Sequence, residues 1–354
     1  MTATHTLLVT GGAGFIGSAC VRYFLQHTPW HVVNLDALTY AGNLHSLGAF
    51  RDHARHTFVH GNICDPHCVT QVFANFSPSA VIHCAAESHV DRSIDGPAAF
   101  VHTNVVGTQR LLEASLIFWR TRSTAEQNNF RFLHVSTDEV YGSAPTGTRF
   151  TEQSPYAPNS PYAASKAASD HLVRAYAQTY GLPTIITHCA NNYGPYQFPE
   201  KLIPLTCLRA LNAEALPLYG TGENIRDWIH VEDHCRALHR LLSDGRIGEN
   251  YLIGTGEEYS NLFTMQTICQ TLDQVAPRPD GQPHASAITY VHDRPGHDAR
   301  YANDPSKIQR ELDWRPQHDF RAGLAATVRW YVENQPWCQS VMADYQRERL
   351  GSAE

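Results

Sequence analysis

Tyr162 and Lys166 form a residue pair whose spacing suggests acid–base chemistry. They lie four positions apart in the segment YAASK, which has a helical pattern, so they share one face of a helix. An ammonium group close to a phenol stabilises the phenolate and lowers the tyrosine pKa from its ordinary value of ~10. Such a tyrosine can take a proton from a sugar hydroxyl while hydride leaves the same carbon, and the lysine can hydrogen-bond a nicotinamide ribose. Because Tyr-x-x-x-Lys often occurs by chance, the prediction depends on what accompanies it.

Two adjacent carboxylates, Asp138 and Glu139, follow the predicted strand Phe130–Ser136. In the same segment, Ser136 and Thr137 place hydroxyl groups at the sheet edge, where they can contact a substrate oxygen. Simple dehydrogenation needs one proton acceptor, and the tyrosine already supplies it. A second acid and a second base therefore indicate proton transfers at other carbons, as an elimination requires. The residue types by themselves favour the alternative that both carboxylates cap the following turn.

The segment GGAGFIG supplies a candidate dinucleotide site, with Gly11, Gly14 and Gly17 between a predicted strand and a predicted helix. Such glycines permit a tight turn, a close backbone approach to a pyrophosphate and close helix–strand packing. Asp36 ends the next predicted strand, where a carboxylate can bind the adenosine ribose and repel a 2′-phosphate, unless it only caps a turn. The small residues Ala85–Ala86 leave room for a cofactor at the sheet edge. The pattern predicts NAD rather than NADP.

These residues need a scaffold that brings strand ends together, and the first half of the chain predicts one. Short β-rich runs alternate with longer helical stretches, which indicates βαβ units and a parallel sheet. The predicted class is α/β, a Rossmann-type doubly wound parallel sheet with a smaller C-terminal mixed α/β substrate lobe. The predicted strands are Thr6–Thr10, His31–Leu35, Thr57–His60, Ala80–Cys84, Phe130–Ser136 and Thr184–Cys189, and the predicted helices are Phe15–Gln26, Asn104–Trp119 and Ser160–Tyr180.

Two domains are predicted from a change of texture near Asn191, after which Pro and Gly become frequent and strands and helices no longer alternate. Residues 1–190 are expected to form the NAD-binding domain. The amphipathic helical pattern within Trp228–Leu242 predicts a return to that domain over about 228–254. The substrate lobe is expected to comprise residues 191–227 and 255–354.

The composition narrows the function further. The chain has 354 residues, with 27 Lys and Arg against 34 Asp and Glu and a net charge of −7, which argues against nucleic acid as a partner. Nine Cys without a repeated CxxC pair favour a reducing cytoplasm. No signal peptide is expected, and no apolar run approaches the ~20 residues of a membrane span. Cys64, His67 and Cys68 lie close together, but no second ligand pair follows, so no metal is predicted.

Taken with several longer segments, these residues resemble the sugar-nucleotide dehydratases of the extended short-chain dehydrogenase/reductase family. The glycine turn and the Tyr/Lys pair are shared by that whole family, whereas the adjacent carboxylates after Thr137 are specific to its dehydratases. The likeness runs from Leu7 to about Trp337. The segments that carry it are GGAGFIGS, AAESHVDRSI, NNYGPYQFPEKLIPL, LPLYGTGENIRDWIHVEDH and DRPGHDARYA.

The resemblance implies a lyase that retains NAD and dehydrates a nucleoside diphosphate glucose without net oxidation. Tyr162 would take the 4-hydroxyl proton as C4 is oxidised, with Lys166 beside it and Thr137 hydrogen-bonded to the C4 oxygen. Glu139 would remove the C5 proton and later return it, and Asp138 would protonate the departing 6-hydroxyl. The hydride would return to C6, which gives a 4-keto-6-deoxy sugar nucleotide.

The resemblance also assigns residues to the two halves of the site. Cofactor contacts are expected at Gly11, Gly14, Phe15, Ile16, Gly17, Asp36, Leu38, Thr39, Asn62, Ile63, Ala85, Ala86, Glu87, Ser88, Thr103, Tyr162, Lys166 and Asn192. Substrate contacts are expected at His89, Thr137, Asn191, Glu200, Lys201, Leu202, Pro217, Tyr219, Arg226, Asn261, Arg294 and His297. The two arginines suit a diphosphate, although a single Arg is otherwise more often a surface charge. Ala37 and Asn62 depart from the Lys and Asp expected in close relatives, and both concern the adenosine half.

Some alternatives stay open. A thymidine nucleotide is expected, but thymine and uracil differ by one methyl group, worth ~1–3 kcal/mol in an apolar pocket, so UDP-glucose or another nucleoside diphosphate hexose remains an alternative substrate. An epimerase of the same fold fits the adjacent carboxylates less well. A non-catalytic NAD-binding regulator would be expected to lack the tyrosine, the lysine or the carboxylates. The family is dimeric, and the amphipathic segment Ser160–Tyr180 would allow a homodimer.

Overall fold

Seven parallel strands form the central sheet of the computed structural model, which describes residues 5–342. The ends of the two predicted domains, residues 1–4 and 343–354, lie outside this range. Within it, the strands are β1 (Thr6–Thr10), β2 (His31–Asp36), β3 (His56–His60), β4 (Ala80–His83), β5 (Arg131–Thr137), β6 (Thr184–Cys189), β7 (Asn191–Tyr193), β8 (Leu216–Tyr219), β9 (Ile225–Arg226), β10 (Trp228–His230), β11 (Asn250–Ile253), β12 (Tyr259–Ser260) and β13 (Ile288–Val291). The sheet order is β3-β2-β1-β4-β5-β6-β11, so the direction of strand addition reverses between β1 and β4.

Helices cover both faces of the sheet, because alternate residues of its strands point to opposite sides. Along β1, Leu7 and Val9 pack into one apolar layer and Leu8 into the other, and all three are fully buried. The helices are α1 (Phe15–His27), α2 (Pro66–Phe76), α3 (Val90–Asp95), α4 (Pro97–Phe100), α5 (Thr108–Arg120), α6 (Thr124–Asn129), α7 (Pro161–Tyr180), α8 (Leu202–Leu211), α9 (Val231–Asp244), α10 (Asn261–Val275), α11 (Ser306–Leu312), α12 (Phe320–Glu333) and α13 (Gln335–Met342). The first layer contains α1 and α9, and the second contains α2, α5 and α7.

The predicted fold class is confirmed, and the six predicted strands agree with the structure to within one residue at each end. One predicted helix differs. The pattern over Asn104–Trp119 predicts a single helix, but the chain first forms a π-helical stretch, Val101–Gly107, and then α5. In the wider turn, Asn104 Nδ2 donates to Glu87 O at 3.0 Å and to Ser165 Oγ at 2.8 Å. These two bonds tie the stretch to neighbouring segments, a constraint that helical periodicity does not contain.

Short strand pairs and the helices α8, α10 and α12 form the smaller mixed lobe. β8 pairs with β13 in parallel and β9 with β12 antiparallel, and the three helices share a core around Met265 and Leu324. In the predicted return segment, α9 packs on α1 and β11 pairs with β6. Helix α11 lies in the range assigned to the substrate lobe, but it packs against α9 and β11. The domain boundaries stay a prediction. Over residues 5–342, no helix combines the length and the apolar character needed to cross a membrane.

Candidate active site

A cavity of about 470 Å³ opens at the carboxyl edge of the sheet, where the strand order reverses. The glycine turn follows β1, Ala85 follows β4, Thr137 ends β5 and Asn191 follows β6, so four strand ends meet there. Every residue predicted for the cofactor, the substrate or catalysis lines this cavity, with the exception of Leu38. The backbone N–H of Leu38 instead donates to Asp36 Oδ1 at 2.7 Å. The sequence-predicted residues are thus brought together in one place.

The glycine turn leaves the backbone at the start of α1 open to the cavity. Gly11 has a φ of +69°, and a Cβ there would lie 2.7 Å from the Ala85 backbone. A Cβ on Gly17 would overlap the Gly11 carbonyl, so this glycine lets α1 pack against the turn. Gly14 is the N-cap of α1 and supplies no capping side chain, so the first N–H groups of the helix can bind an anion. The turn therefore fits the pyrophosphate of a dinucleotide.

Asp36 ends β2 beside this turn and is 8% exposed. Its Oδ2 accepts a hydrogen bond from Ala13 N at 2.9 Å, and its Oδ1 accepts from Leu38 N at 2.7 Å. Burial raises the pKa of this carboxyl, and the backbone amides oppose that effect. A carboxylate has about four lone-pair sites, so two backbone bonds leave capacity for ribose hydroxyls. Nearby, Asn62 Oδ1 accepts from Cys64 N at 2.9 Å and holds its own turn.

Tyr162 and Lys166 lie on one face of α7 and are both buried. The lysine Nζ donates to Val135 O at 2.9 Å. The prediction that the tyrosine has a lowered pKa is wrong: burial raises the pKa of Tyr162 well above its ordinary value and the Glu139 carboxylate raises it further, while a hydrogen bond with Thr137 lowers it. A nearby lysine charge favours the phenolate, but the loss of water around the buried phenol acts in the opposite direction and is the larger effect.

The two adjacent carboxylates begin a 3-10 turn, Asp138–Tyr141, directly after β5. The cap of this turn is Thr137, whose Oγ1 accepts a hydrogen bond from Glu139 N at 3.3 Å. Both carboxylates line the cavity instead. The alternative that they cap the turn is therefore wrong, because Thr137 is the cap and both carboxylates face the cavity.

Their surroundings set the two carboxyls apart. Burial raises the pKa of Asp138 to about 8, although a hydrogen bond from Asn303, with Nδ2 to Oδ2 at 2.7 Å, opposes it. Burial also raises the pKa of Glu139, and the charges of Arg294 and Lys201 lower it. At neutral pH Asp138 is therefore protonated and can donate a proton. Neighbouring carboxyls in different environments are the arrangement that assigns one as acid and the other as base.

Two arginines predicted to bind substrate belong to the cavity wall. Arg226 is 4% exposed, its Cζ lies 4.2 Å from the Tyr301 ring centroid, and its Nη2 donates to Asp298 O at 3.0 Å. Arg294 Nη1 lies 2.8 Å from Asp91 Oδ1. Neighbouring groups hold both guanidinium groups at a largely buried site. They are therefore better suited to bind a diphosphate than to serve as surface charges.

The predicted substrate residues near β7 and α8 form a second polar cluster. Glu200 Oε1 accepts a hydrogen bond from Tyr40 OH at 3.0 Å, and Lys201 Nζ donates to Ser88 O at 3.0 Å. His89 Nε2 lies 3.5 Å from Glu200 Oε2. Burial, together with the charges of nearby cations, lowers the pKa of His89 to about 2, so this imidazole is neutral at physiological pH. The cluster therefore combines a neutral imidazole with the ion pair of Glu200 and Lys201, whose Oε1 and Nζ lie 3.9 Å apart.

Three residues at the site, Asp91, Tyr301 and Asn303, are not predicted from the sequence. Asp91 lies in the segment SHVDRSI and holds Arg294, whereas the other two lie two residues apart in the segment ARYAND. Tyr301 OH lies 3.5 Å from Glu139 Oε2, and Asn303 bonds the other carboxyl of the pair. Residues two apart in an extended segment point to the same side, which was a visible signal. The carboxylates that they contact, however, lie in a distant part of the sequence.

Known proteins resemble this chain over nearly its whole length. The family model described as GDP-mannose 4,6 dehydratase matches residues 8–327. The chain is 55% identical over 348 residues to a dTDP-glucose 4,6-dehydratase of Xanthomonas campestris, covering 98% of this chain and 99% of that protein. A crystal structure of a dTDP-glucose 4,6-dehydratase from Streptomyces venezuelae, with NAD and TYD bound, is 48% identical with a TM-score of 0.85 and covers 95% of this chain and 99% of that one. One from Bacillus anthracis, in complex with NAD, is 43% identical with a TM-score of 0.84 and covers 96% and 100%.

Proposed function

The chain belongs to the GDP-mannose 4,6 dehydratase family, and we propose that it is an NAD-dependent dTDP-glucose 4,6-dehydratase, which forms dTDP-4-keto-6-deoxyglucose and water. The observation that carries this proposal is the adjacent pair Asp138 and Glu139, which shares one cavity with Tyr162. Oxidation at C4 needs a single base, whereas loss of water across C5 and C6 needs a further base and an acid. When bound, NAD supplies the oxidant at C4 and the reductant at C6.

At C4, we propose that Tyr162 removes the proton of the 4-hydroxyl group. Thr137, which hydrogen-bonds this tyrosine, donates to the C4 oxygen and stabilises the charge that develops there. Lys166, one turn along α7, adds a positive charge that favours the phenolate over the buried phenol. These three residues together make C4 the first carbon to react.

At C5 and C6, the adjacent carboxylates divide the work. Glu139 removes the C5 proton, which the new 4-ketone acidifies, and later returns it. Asp138 is protonated at neutral pH because its pKa is about 8, so it can donate its proton to the 6-hydroxyl, which leaves as water. The environments of the two carboxyls support this division, since the charges of Arg294 and Lys201 lower the pKa of Glu139. The pKa of Asp138 is instead raised by burial and by the neighbouring carboxyls.

The two ligands occupy different parts of the cavity in this proposal. The glycine turn and Asp36 receive the dinucleotide, and the ribose-facing carboxylate favours NAD over NADP. Arg226 and Arg294 receive the diphosphate of the sugar nucleotide. Pro217 and Tyr219 line the same wall and are the candidates for contact with the base. UDP-glucose or another nucleoside diphosphate hexose remains the alternative substrate, because a single methyl group separates the two pyrimidines.

We further propose a homodimer in the cytoplasm. Large apolar side chains are exposed on the helical stretch before and within α5 and at the end of α7, namely Val101, Val106, Ile117 and Tyr180. A second copy of the chain would cover them. The nine cysteines are all free thiols, which suits a reducing compartment. Sedimentation of the wild type against Ile117→Arg tests the dimer, and a wild type that sediments as a monomer would contradict it.

The function is tested with purified protein and no added NAD. We expect dTDP-glucose to give the 4-keto product, and deuterium placed on C4 of the sugar to be recovered on C6. Glu139→Gln should lose most of this turnover, whereas Glu113→Gln, which changes an exposed carboxylate on α5, should keep it. Faster turnover of UDP-glucose would support the alternative substrate, and product without deuterium on C6 would contradict the mechanism. Cofactor extracted from the protein should lack a 2′-phosphate.

A further inference from the structure

The segment Arg300–Asp304 is held on both sides where it passes the cavity. Tyr301 N donates to Ile225 O at 3.0 Å, and Phe150 N donates to Ala302 O at 2.8 Å. The backbone of this segment is therefore fixed by hydrogen bonds to two separate parts of the chain. The side chains of Tyr301 and Asn303, which reach the carboxylate pair, are therefore attached to a fixed backbone.

Asn303, in this segment, touches the acid without touching the cavity. Its side chain is fully buried, and Nδ2 donates to Asp138 Oδ2 at 2.7 Å. Its Oδ1 has no hydrogen-bond partner. Asn303 is not among the residues that line the cavity, whereas Asp138 is. Among the described residues, the only hydrogen-bond partner of this buried amide is the acid, Asp138. Because the amide does not line the cavity, contact with substrate cannot be its role.

We infer that Asn303 is a positioning residue for the acid, which holds Asp138 so that its acidic proton lies on Oδ1. In a neutral carboxyl the carbonyl oxygen accepts hydrogen bonds more strongly than the hydroxyl oxygen does. The Asn303 N–H therefore favours the carboxyl form in which Oδ2 is the carbonyl oxygen and Oδ1 carries the proton. Thr137 Oγ1 lies 3.5 Å from Oδ1 and itself lines the cavity, so Oδ1 is on the substrate side.

This inference rests on the proposed function and adds a geometry to its elimination step. The O–H bond of Asp138 breaks as a new O–H bond forms on the 6-oxygen, and the C6–O bond breaks with its electron pair so that water leaves. The C5–H proton goes to Glu139, and the electrons of that bond become the double bond between C5 and C6. The carboxylate left on Asp138 is stabilised by the Asn303 amide, which was already bonded to it.

The charges that face Asp138 come from several elements. The carboxyls of Glu139 and Asp227 raise its pKa and Arg226 lowers it, in addition to the effect of burial. The hydrogen bond from Asn303 favours the ionised form, so its removal raises the pKa of the acid further. Tyr141, Tyr162 and Cys189 also interact electrostatically with this carboxyl.

The test is Asn303→Leu in the holoenzyme with dTDP-glucose, a change that keeps most of the volume and removes the donor. We expect kcat to fall about tenfold with KM within about twofold, and the basic limb of the kcat pH profile to move up by about one pH unit. In heavy water, deuterium should enter C5 of unreacted substrate, because Glu139 still exchanges that proton while water loss is slow.

A second variant and a control complete the experiment. Asn303→Asp keeps the side-chain shape and puts a second carboxyl beside Asp138, so the same upward shift of the basic limb is expected. Asn250→Leu, on β11, removes a side-chain hydrogen bond to Glu152 O and should leave the limb in place. An unmoved limb in the folded Asn303 variants would overturn the inference, whereas a wild type without dehydration would overturn the proposed function.

Discussion

Asp170 lies one helical turn beyond Lys166 on α7, and its charge opposes the lowering of the lysine pKa by burial. Although burial acts to raise the pKa of Asp170, hydrogen bonds from His134 and His188 hold it below its ordinary range. The nearest ring nitrogens, both Nε2, lie 3.2 Å from the two carboxylate oxygens. Ser136 Oγ also donates to Oδ2 at 2.9 Å. Asp170 is therefore an ionised group away from water that favours the charged form of the lysine.

Asp170→Asn is expected to shift the acidic limb of the kcat/KM pH profile upward. Without this negative charge the pKa of Lys166 falls, less positive charge faces Tyr162, and the phenol ionises only at higher pH. A shift of about one unit and a roughly tenfold loss of kcat/KM near neutral pH are expected. Asp244→Asn, at an exposed carboxylate on α9, should change neither. An equal loss of rate at every pH would mean that Asp170 acts only on the fold.

The contacts and the burial of the residues around the catalytic pair could not be predicted from the sequence. Strand ends and the glycine turn follow from local patterns, and those predictions agree with the structure. The contact between Asn303 and Asp138 joins residues 165 positions apart, and the pair of Arg294 with Asp91 joins residues 203 apart. Periodicity along the chain predicts local structure and cannot predict contacts between residues so far apart in the sequence. The direction of the Tyr162 pKa was wrong for the same reason, because the degree of burial is a property of the assembled fold.

Asp138→Asn is expected to make the protein less active and more stable at alkaline pH. The pKa of Asp138 is about 8 in the folded chain, against an ordinary ~3.9 when unfolded, so the folded state holds a proton that the unfolded state has lost. The free energy of unfolding therefore decreases as pH rises through this window. The variant lacks this titration, and its stability relative to wild type should grow by about 2–4 kcal/mol between about pH 5 and 8.

Urea unfolding at the two pH values measures this difference, and the comparison within each pH cancels the titration of other groups. Asp280→Asn is the matched control, because that carboxylate lies in an exposed turn and pairs with Arg278. A stability difference between Asp138→Asn and wild type that is the same at both pH values would contradict the raised pKa. A gain of stability together with loss of dehydration would show that the acid is kept for chemistry at the expense of the fold.

Arg294→Lys is expected to raise KM for the sugar nucleotide about tenfold while kcat changes by less than about threefold. The ammonium keeps the positive charge that lowers the pKa of Glu139, but it cannot bind a diphosphate with two parallel N–H groups. Initial rates over a range of dTDP-glucose concentrations measure both constants. Arg246→Lys, at an exposed residue, is the control. If kcat fell and KM stayed constant, the guanidinium would act on the reacting carbons rather than on the diphosphate.

Gly17→Ala is expected to lower both the bound cofactor and the stability of the protein. A methyl group there would overlap the Gly11 carbonyl, which is backbone and cannot turn aside, so α1 would have to move away from the turn that faces the pyrophosphate. Such overpacking costs about 1–3 kcal/mol. Gly96→Ala is the matched control, because its Cβ would meet Arg92 O only at 3.8 Å and its φ is −142°. Nucleotide released on denaturation and thermal unfolding of both variants give the two readouts. A Gly17→Ala protein with full cofactor content would contradict the role of this turn, whatever its melting temperature.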